Sequence, residues 1–483
     1  MDAGDAQTGF LGPRAWVASA LIGGAIGAGM ALVWPGTIGS AGTPVLPAAL
    51  SIPFVVLLGC MAIMPLAATA LWHRHYPNMS LMLGGLVVSY YLVAFGGPGR
   101  GKVVHIFEEY FAFIALVGGL YIVSGGILVE ATGRGRPVVN TLLLALGAVL
   151  ANVIGTTGAS VVLIHPFMRL NHGRLRPIHI VFFIFIVSNC GGCLTPIGDP
   201  PLYLGYLSGV PFFWTLAHLW PMWLLAVGVL LTMFFVIDAR IGKGTSHHTE
   251  PLRFRLYGTV GLIAMALMVG GVFIDPVLRA RGIQTPTPVG PIFQTIVAAA
   301  AFFLSPASIR HANNFSFEPF KEVSLLFAGI FATMAPALAY LQANGANIGL
   351  VNPTQYHFAT GVLSAVLDNA PTYLSVLQVA LGTLGREVSP EAIQLLISGA
   401  HTITPPGGAG PPTQVDGVLL LESISLAAVF FGAMTYIGNG PNFMVKAIAE
   451  SRGVTMPSFF GYLGLACVFL LPVLILNWAV FIR

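Results

Sequence analysis

The sequence predicts an all-α polytopic membrane protein with about 11 spans, built as two inverted repeats that each contain a re-entrant hairpin and a broken helix. Hydrophobic residues make up 56% of the 483 positions and charged residues only 8%, whereas soluble domains have about 25% charged residues. Apolar runs long enough to cross a bilayer recur along the whole chain, which is typical of transmembrane helices. Finally, "TPIGDPP" at 195–201 and "TYIGNGP" at 435–441 share the pattern T-x-I-G-[Asp/Asn]-x-P.

Nine apolar runs are predicted to be continuous helices, because each approaches the roughly 20 residues needed for one crossing. They lie at 15–35, 50–72, 80–97, 105–129, 212–238, 254–274, 288–305, 320–342 and 456–481. The first run has no small-residue cleavage site after a short apolar stretch, so we expect a retained helix rather than a signal peptide.

Two further segments, 137–168 and 354–384, are too long for one span and too short for two. Each has a turn-forming centre, which is "GTTG" at 155–158 in the first and "DNAP" at 368–371 in the second. Two half-helices of about 13 residues would reach about 20 Å into the bilayer and return. Both segments are therefore predicted to be re-entrant hairpins.

The opening motifs lie inside two other apolar segments, 177–208 and 418–450, which we predict to be broken helices. Unwound backbone within a bilayer persists only where it lines a cavity enclosed by protein. Freed carbonyls can then bind a cation, and half-helix N-termini can face an anion. Interrupted apolar segments at corresponding places in two halves are typical of the binding site of a transporter.

The expected division of the chain follows from these elements. Scaffold helices occupy 1–104 and 254–319, the first inverted repeat 105–238, a cytoplasmic linker 239–253, and the second inverted repeat 320–483. With the N-terminus in the cytoplasm, most of the 21 lysine and arginine residues fall on the cytoplasmic side, as the positive-inside rule expects. The Pro/Gly-rich stretch 402–414 is expected to be an exposed loop.

Asp199 and Asp368 are the principal candidate site residues. A carboxylate at membrane depth costs at least about 2.5–3.5 kcal/mol on insertion scales, and neither break contains a lysine or arginine. A bound cation such as Na+, or a proton, is therefore the expected partner of each. The alternative is that each aspartate only caps the start of a half-helix, and the two roles are compatible.

Other polar residues of the four breaks are expected to belong to the same binding site. Neutral oxygens are expected from Thr156, Thr157, Asn189, Asn369 and Asn439, and the further binding residues are Ser188, Thr195 and Thr435. Glycines and prolines are expected to permit the unwound backbone and to restart the helices, namely Gly155, Gly158, Gly198, Pro201, Pro371, Gly438, Gly440 and Pro441. The pair Cys190 and Cys193 is interpreted as small residues in a tight turn, with redox or metal chemistry as the alternative.

Four stretches, "ANVIGTTGAS", "SNCGGCLTPIGDPPLYLGYL", "LDNAPTYL" and "TYIGNGPNFMVKAIAES", resemble signatures of the ion-transporter superfamily. This superfamily includes D-type bacterial sodium/proton antiporters, arsenite efflux permeases, citrate transporters and divalent-anion/sodium symporters. The resemblance covers residues from about 50 to 480. It implies a scaffold domain, a transport domain that carries both hairpins and moves as an elevator, a homodimer, and a bacterial inner membrane location.

Within the superfamily, Gly198-Asp199 and Asp368-Asn369 resemble the antiporter and arsenite branches. The divalent-anion branch has Ser-Asn-Thr triplets at both hairpin tips and both breaks. Here Ser188-Asn189 is followed by a cysteine, and the second hairpin has the acid Asp368 where an anion would bind. We therefore expect a sodium/proton antiporter in which both aspartates exchange cation and proton. Cation-coupled transport of citrate or a related carboxylate is the alternative, followed by efflux of arsenite or another oxyacid.

Other classes of protein are not expected. The sequence shows no nucleophile–base or metal-ligand pattern of an enzyme, no nucleic-acid-binding patch, and no cofactor motif. A membrane subunit without transport activity would have degraded hairpin tips, and these tips are intact.

Overall fold

The computed structural model of the chain describes residues 12–38, 44–241, 252–283, 285, 287–386, 388–403 and 413–483. Most of the predicted linker at 239–253 and of the Pro/Gly-rich stretch at 402–414 lies outside the described residues. Among those described, eight helices are long and apolar enough to span a membrane, or nine when one pair bent by 41° counts as a span. The chain is an all-α polytopic integral membrane protein, as predicted.

Nineteen helices follow one another along the described chain. They are α1 (Pro13–Val33), α2 (Ile52–Ala67), α3 (Thr69–Ser124), α4 (Pro137–Leu170), α5 (Pro177–Ile186), α6 (Pro200–Leu207), α7 (Trp214–Ile241), α8 (Thr259–Gly271), α9 (Ile274–Ala280), α10 (Val289–Leu304), α11 (Ala307–Ala312), α12 (Glu318–Ile348), α13 (Pro353–Val366), α14 (Asn369–Thr383), α15 (Pro390–Ile397), α16 (Gly417–Phe431), α17 (Gly440–Ser451), α18 (Phe459–Phe469) and α19 (Leu471–Phe481).

Three short antiparallel ribbons accompany the helices. They pair β1 (Thr37–Ile38) with β2 (Pro44–Val45), β3 (Leu128–Thr132) with β4 (Arg253–Tyr257), and β5 (Ala400–Ile403) with β6 (Thr413–Asp416).

Three predicted helices have different limits in the structure. The runs at 80–97 and 105–129 both fall within α3, where two helices meet at a kink: the backbone of Gly96 is not helical, with a φ of +56°, and the second helix ends at Ser124. The run at 254–274 becomes helical only at Thr259, because its first residues form β4. In β4, arginines alternate with apolar residues, which is the period of a strand and not of a helix.

The chain divides into two compact units. The smaller unit contains Met1–Ile114, Phe317–Ile348 and Gln378–Glu387, and the larger unit contains the remaining segments. In the smaller unit, α1 packs closely on α3 because Gly23 and Gly27 face backbone carbonyls, and a Cβ on Gly27 would overlap the carbonyl oxygen of Leu86. Small residues of this kind let membrane helices approach each other.

In the larger unit, α4 forms the first predicted hairpin, and its two ends meet. Asn140 near its start and Asn171 just after its end donate amide hydrogen bonds to each other, at 2.8 and 2.9 Å. Asn140 also donates to Asp238 in α7, at 2.7 Å. Residues 31 positions apart therefore lie side by side, as the predicted hairpin geometry requires.

The remaining predicted breaks also lie in the larger unit, although the end of α14, from Gln378 on, belongs to the smaller unit. The second hairpin is α13 followed by α14, with Leu367 and Asp368 between them. The first broken helix consists of α5, a 3-10 turn at Cys190–Gly192 and α6, and the second consists of α16, a 3-10 turn at Gly432–Met434 and α17.

Candidate functional site

The two T-x-I-G motifs have the same hydrogen-bonding pattern. The Thr195 hydroxyl accepts from the N–H three residues later (3.2 Å) and donates to the carbonyl of Asn152 in the first hairpin (2.5 Å). The Thr435 hydroxyl also accepts from the N–H three residues later (3.1 Å) and donates to the carbonyl of Ala365 in the second hairpin (2.6 Å). Each threonine thus connects one broken helix to one hairpin.

A pair of glycines shapes each broken helix. A Cβ on Gly198 would overlap the carbonyl oxygen of Gly192, and a Cβ on Gly438 would lie 2.6 Å from that of Gly432. No side chain fits at such distances without a shift of the backbone. Gly192 and Gly432 are not among the predicted site residues given above, although each lies three residues before the threonine of its motif.

The two hairpin tips turn by different means. In the first, Gly155 adopts a φ of +76°, and the N–H of Thr156 donates to the carbonyl of Gly198 at 2.8 Å. In the second, the side chain of Asp368 accepts from the N–H of Ala370 at 3.0 Å. A half-helix begins directly after each turn.

The carboxylate of Asp199 lies where all four breaks meet. Its Oδ1 accepts from the hydroxyl of Thr156 (2.8 Å) and from Nδ2 of Asn439 (2.9 Å), and its Oδ2 accepts from Nδ2 of Asn369 (2.6 Å). These donors come from the first hairpin, the second broken helix and the second hairpin. All four side chains are no more than 2% exposed. One buried carboxylate therefore joins both repeats through neutral donors.

A second group of buried amides and hydroxyls supports these contacts. Asn439 also donates to Oδ1 of Asn189 (3.1 Å), whose Nδ2 donates to Oδ1 of Asn442 (2.6 Å). The hydroxyls of Ser188 and Ser160 lie 2.8 Å apart. The network again crosses from the first broken helix to the second.

Asp368 has a different setting from Asp199. It is only half-buried, its side chain accepts from the N–H of Ala370 at the start of α14, and no hydrogen bond joins it to Asp199. Among the described residues, no lysine, arginine or histidine forms an ion pair with either aspartate.

A small cavity reaches Asp199 from the side of the first hairpin. Its volume is about 20 Å³, and its lining includes Thr156, Thr157, Asp199, Pro200 and Tyr203. A cavity needs at least about 10–15 Å³ to hold one water molecule. The space beside the carboxylate thus admits a water or a single dehydrated ion.

The other predicted glycines and prolines divide into two kinds. Pro201, Pro371 and Pro441 lie in the first turns of α6, α14 and α17. Gly158 has only ordinary van der Waals neighbours, and nothing lies within 4 Å of a Cβ on Gly440. The packing around these two positions therefore does not require glycine.

The cysteine pair lies at the 3-10 turn that interrupts the first broken helix between α5 and α6. Cys190 and Cys193 are free and fully buried, and no group of three or more metal-ligating side chains occurs in the described part of the chain. The carbonyl of Gly191 between them accepts from Asn152 (2.6 Å) and from Nε1 of Trp223 (2.9 Å). Trp223 was not a predicted site residue, because nothing distinguishes it within the apolar run of α7.

Comparison with known proteins gives a family. Residues 43–482 match the family described as "Putative citrate transport". No curated protein matches the chain.

Proposed function

The chain belongs to the citrate-transport family that matches residues 43–482, and we propose that this secondary transporter exchanges a monovalent cation, sodium in the first place, for a proton at Asp199. The observation that carries the proposal is the setting of this carboxylate. It is 1% exposed and bound by three neutral donors from three other breaks. A buried charge without a fixed counter-charge is costly, so a mobile cation or a proton is needed to neutralise it.

The half-helix starts argue for a cation over an anion at this centre. Helix N-termini attract negative charge, and α6 begins at Pro200 with Asp199 as its N-cap. At the equivalent place α17 begins with Asn439 as its N-cap, and Asn439 donates to Asp199. The carboxylate of Asp199 is thus the anion at both helix N-termini. It would repel a second, transported anion.

An oxygen ligand for the cation is already present. Oδ1 of Asn369 is buried and accepts no hydrogen bond, while Nδ2 of the same side chain is bound to Asp199. Thr156 and Thr157 line the small cavity beside Asp199, whereas Asn369 contacts the carboxylate from the second hairpin. Neutral oxygens next to a carboxylate suit a hard cation. We assign Asp368, one residue from Asn369, as the second ionisable group of the exchange.

Cation-coupled transport of citrate or a related carboxylate is the second candidate, and the match to the family described as "Putative citrate transport" favours it. In this version the cation at Asp199 would neutralise the carboxylate before the substrate approaches. The size of the cavity argues against citrate at the same place, since about 20 Å³ is far below the roughly 300–1,000 Å³ typical of small-molecule sites.

The test is flux through purified protein in proteoliposomes. Asp199→Asn keeps the shape of the side chain and removes its charge, so we expect sodium-driven proton flux to fall to the background of empty vesicles. Asp416→Asn is the matched control, because Asp416 is also a helix N-cap, is exposed, and lies at the start of α16 outside the site. We expect it to retain flux.

Two results would contradict the proposal. Sodium-driven proton flux that persists in folded Asp199→Asn protein would show that this carboxylate is not the exchange site. Sodium-dependent uptake of labelled citrate, with no proton flux in the absence of citrate, would establish the second candidate instead.

A further inference from the structure

Two aromatic side chains donate hydrogen bonds to the 3-10 turns of the two broken helices. Nε1 of Trp223 in α7 donates to the carbonyl of Gly191 at 2.9 Å, and the hydroxyl of Tyr462 in α18 donates to the carbonyl of Ala433 at 2.9 Å. Helices α7 and α18 each come directly after their broken helix, and all four residues belong to the larger unit. Each turn therefore receives one donor from the next helix of its own repeat.

The two donors occupy corresponding places in the inverted repeats. Trp223 and Tyr462 lie almost equally far along the chain from the threonines of their motifs, Thr195 and Thr435. Carbonyls that unwinding frees inside a bilayer need a partner within the protein. One donor is an indole and the other a phenol, yet the contact is the same, so both breaks have the same need for a donor at this place.

Each turn also lies against a side chain that binds Asp199. A Cβ on Gly192 in the first turn would lie 2.5 Å from Cγ2 of Thr156, whose hydroxyl donates to one carboxylate oxygen. A Cβ on Gly432 in the second turn would lie 3.3 Å from Nδ2 of Asn369, which donates to the other oxygen. A shift of either turn would therefore displace one donor of the carboxylate.

We propose that Trp223 and Tyr462 are positioning residues for the exchange at Asp199, and this inference rests on the proposed function. Each holds the turn of one broken helix in place, and they act on the carboxylate through Thr156 and Asn369. Loss of either donor lowers the fraction of protein in which the site is assembled. The half-saturating cation concentration rises by the same factor.

The two contacts differ in how much depends on the aromatic donor. The carbonyl of Gly191 keeps a second donor, Nδ2 of Asn152 at 2.6 Å, when Trp223 is changed. Tyr462 is fully buried, and Tyr462→Phe removes its hydroxyl while keeping the ring that packs against Tyr436, with centroids 4.1 Å apart. We therefore expect the larger effect from Tyr462→Phe.

The experiment measures sodium-driven proton flux in proteoliposomes and, independently of any ion, backbone hydrogen exchange of the two turns in the purified full-length protein. Tyr462→Phe is expected to raise the half-saturating sodium concentration about tenfold and Trp223→Phe about threefold, both at an unchanged maximal rate. Hydrogen exchange should quicken in the second turn for Tyr462→Phe and in the first turn for Trp223→Phe, because each turn loses its own donor.

Two matched controls remove the same chemical groups elsewhere. Trp214→Phe removes an indole from α7 whose buried Nε1 has no hydrogen-bond partner among the described residues. Tyr90→Phe removes a fully buried hydroxyl that donates to the carbonyl of Trp34 at 2.8 Å within the smaller unit. Both controls should leave the half-saturating sodium concentration and the hydrogen exchange of the turns unchanged.

Three results would overturn the proposal. They are unchanged hydrogen exchange of the turns in Trp223→Phe and Tyr462→Phe, an equal shift of half-saturation in the controls, and faster exchange with unchanged half-saturation when the wild-type protein transports sodium. Absence of sodium-driven flux in the wild-type protein would instead contradict the proposed function. Hydrogen exchange alone would then decide whether the two aromatic residues hold the breaks.

Discussion

Two buried carboxylates of the larger unit, Asp199 and Asp238, have opposite surroundings. Both are no more than 1% exposed. Asp238 forms an ion pair with Arg174 and lies 3.0 Å from Nε2 of His179. Asp199 receives three hydrogen bonds from an uncharged hydroxyl and two amides. Within the described parts of the chain, one carboxylate has a fixed counter-charge and the other has none.

The location of each carboxylate accounts for this difference. Asp238 lies near the end of the continuous helix α7 and binds Asn140 at the base of the first hairpin, so its network holds helix ends together. Asp199 lies in a break where three other breaks converge. A fixed basic partner there would compete with any transported cation. The contrast indicates a structural role for Asp238 and supports the proposed exchanging role of Asp199.

The largest effect on stability is expected at Asp238. Asp238→Ala would leave the guanidinium of Arg174, whose side chain is 4% exposed, buried without its carboxylate, and removal of one partner from a buried pair costs about 3–5 kcal/mol. We expect a marked fall in yield and in the temperature of thermal unfolding. Asp199→Asn, in contrast, should unfold at or above the temperature of the wild-type protein, because it removes an uncompensated charge.

A double variant distinguishes destabilisation by loss of the ion pair from destabilisation by a general loss of packing. Arg174→Met/Asp238→Leu removes both charges and fills the space, so it should recover much of the stability lost in Asp238→Ala. If Asp238→Ala is as stable as Asp199→Asn, the contrast between the two carboxylates is wrong.

A smaller effect on transport is expected when the central carboxylate is moved from position 199 to position 439. Positions 199 and 439 are equivalent in the two motifs and their side chains are in contact, so Asp199→Asn/Asn439→Asp keeps one carboxylate at the centre. Its new position faces Oδ1 of Asn189 and the carbonyl of Ser188, and both are acceptors. Mismatched contacts of this kind cost about 1–3 kcal/mol.

We therefore expect the exchanged variant to recover sodium-driven flux that Asp199→Asn lacks, with a half-saturating sodium concentration about tenfold above that of the wild-type protein. Flux measured over a range of sodium concentrations checks this. A variant as inactive as Asp199→Asn, yet folded, would show that the two repeats are not interchangeable at this position.

Sequence alone predicts the position of the breaks, because glycine, proline and polar residues inside an apolar run disfavour an uninterrupted helix in a bilayer. It also predicts that Thr156, Asn369 and Asn439 converge on Asp199, since the two motifs repeat and must line one cavity. It does not distinguish Asp368 as a helix cap from Asp368 as a partner of Asp199, because both roles need the same residue type at the same place.

The sequence pattern does not predict contacts between segments that are far apart along the chain. Arg174, His179 and Asp238 lie at the ends of apolar runs, where solvated charges are the ordinary expectation, and only the packed structure shows them fully enclosed. The pairing of β3 with β4 joins strands that are separated by most of a repeat. No local period specifies such a partner.

The smallest effect is expected at Gly440, which differs from Gly438 two positions earlier. A Cβ on Gly438 would approach the Gly432 oxygen to 2.6 Å, whereas nothing lies within 4 Å of a Cβ on Gly440. Gly440 is also the first residue of α17 and has no positive φ, so alanine is compatible with its backbone. Gly440→Ala should leave flux unchanged and raise stability by at most about 1 kcal/mol.

Gly438→Ala should lose both flux and thermal stability, because the backbone around Asn439 must move. Loss of flux in Gly440→Ala at an unchanged unfolding temperature would contradict this prediction. It would show that a Cβ at position 440 is not tolerated during the transport cycle. The second break would then have to rearrange around Asp199 more than the contacts in this structure indicate.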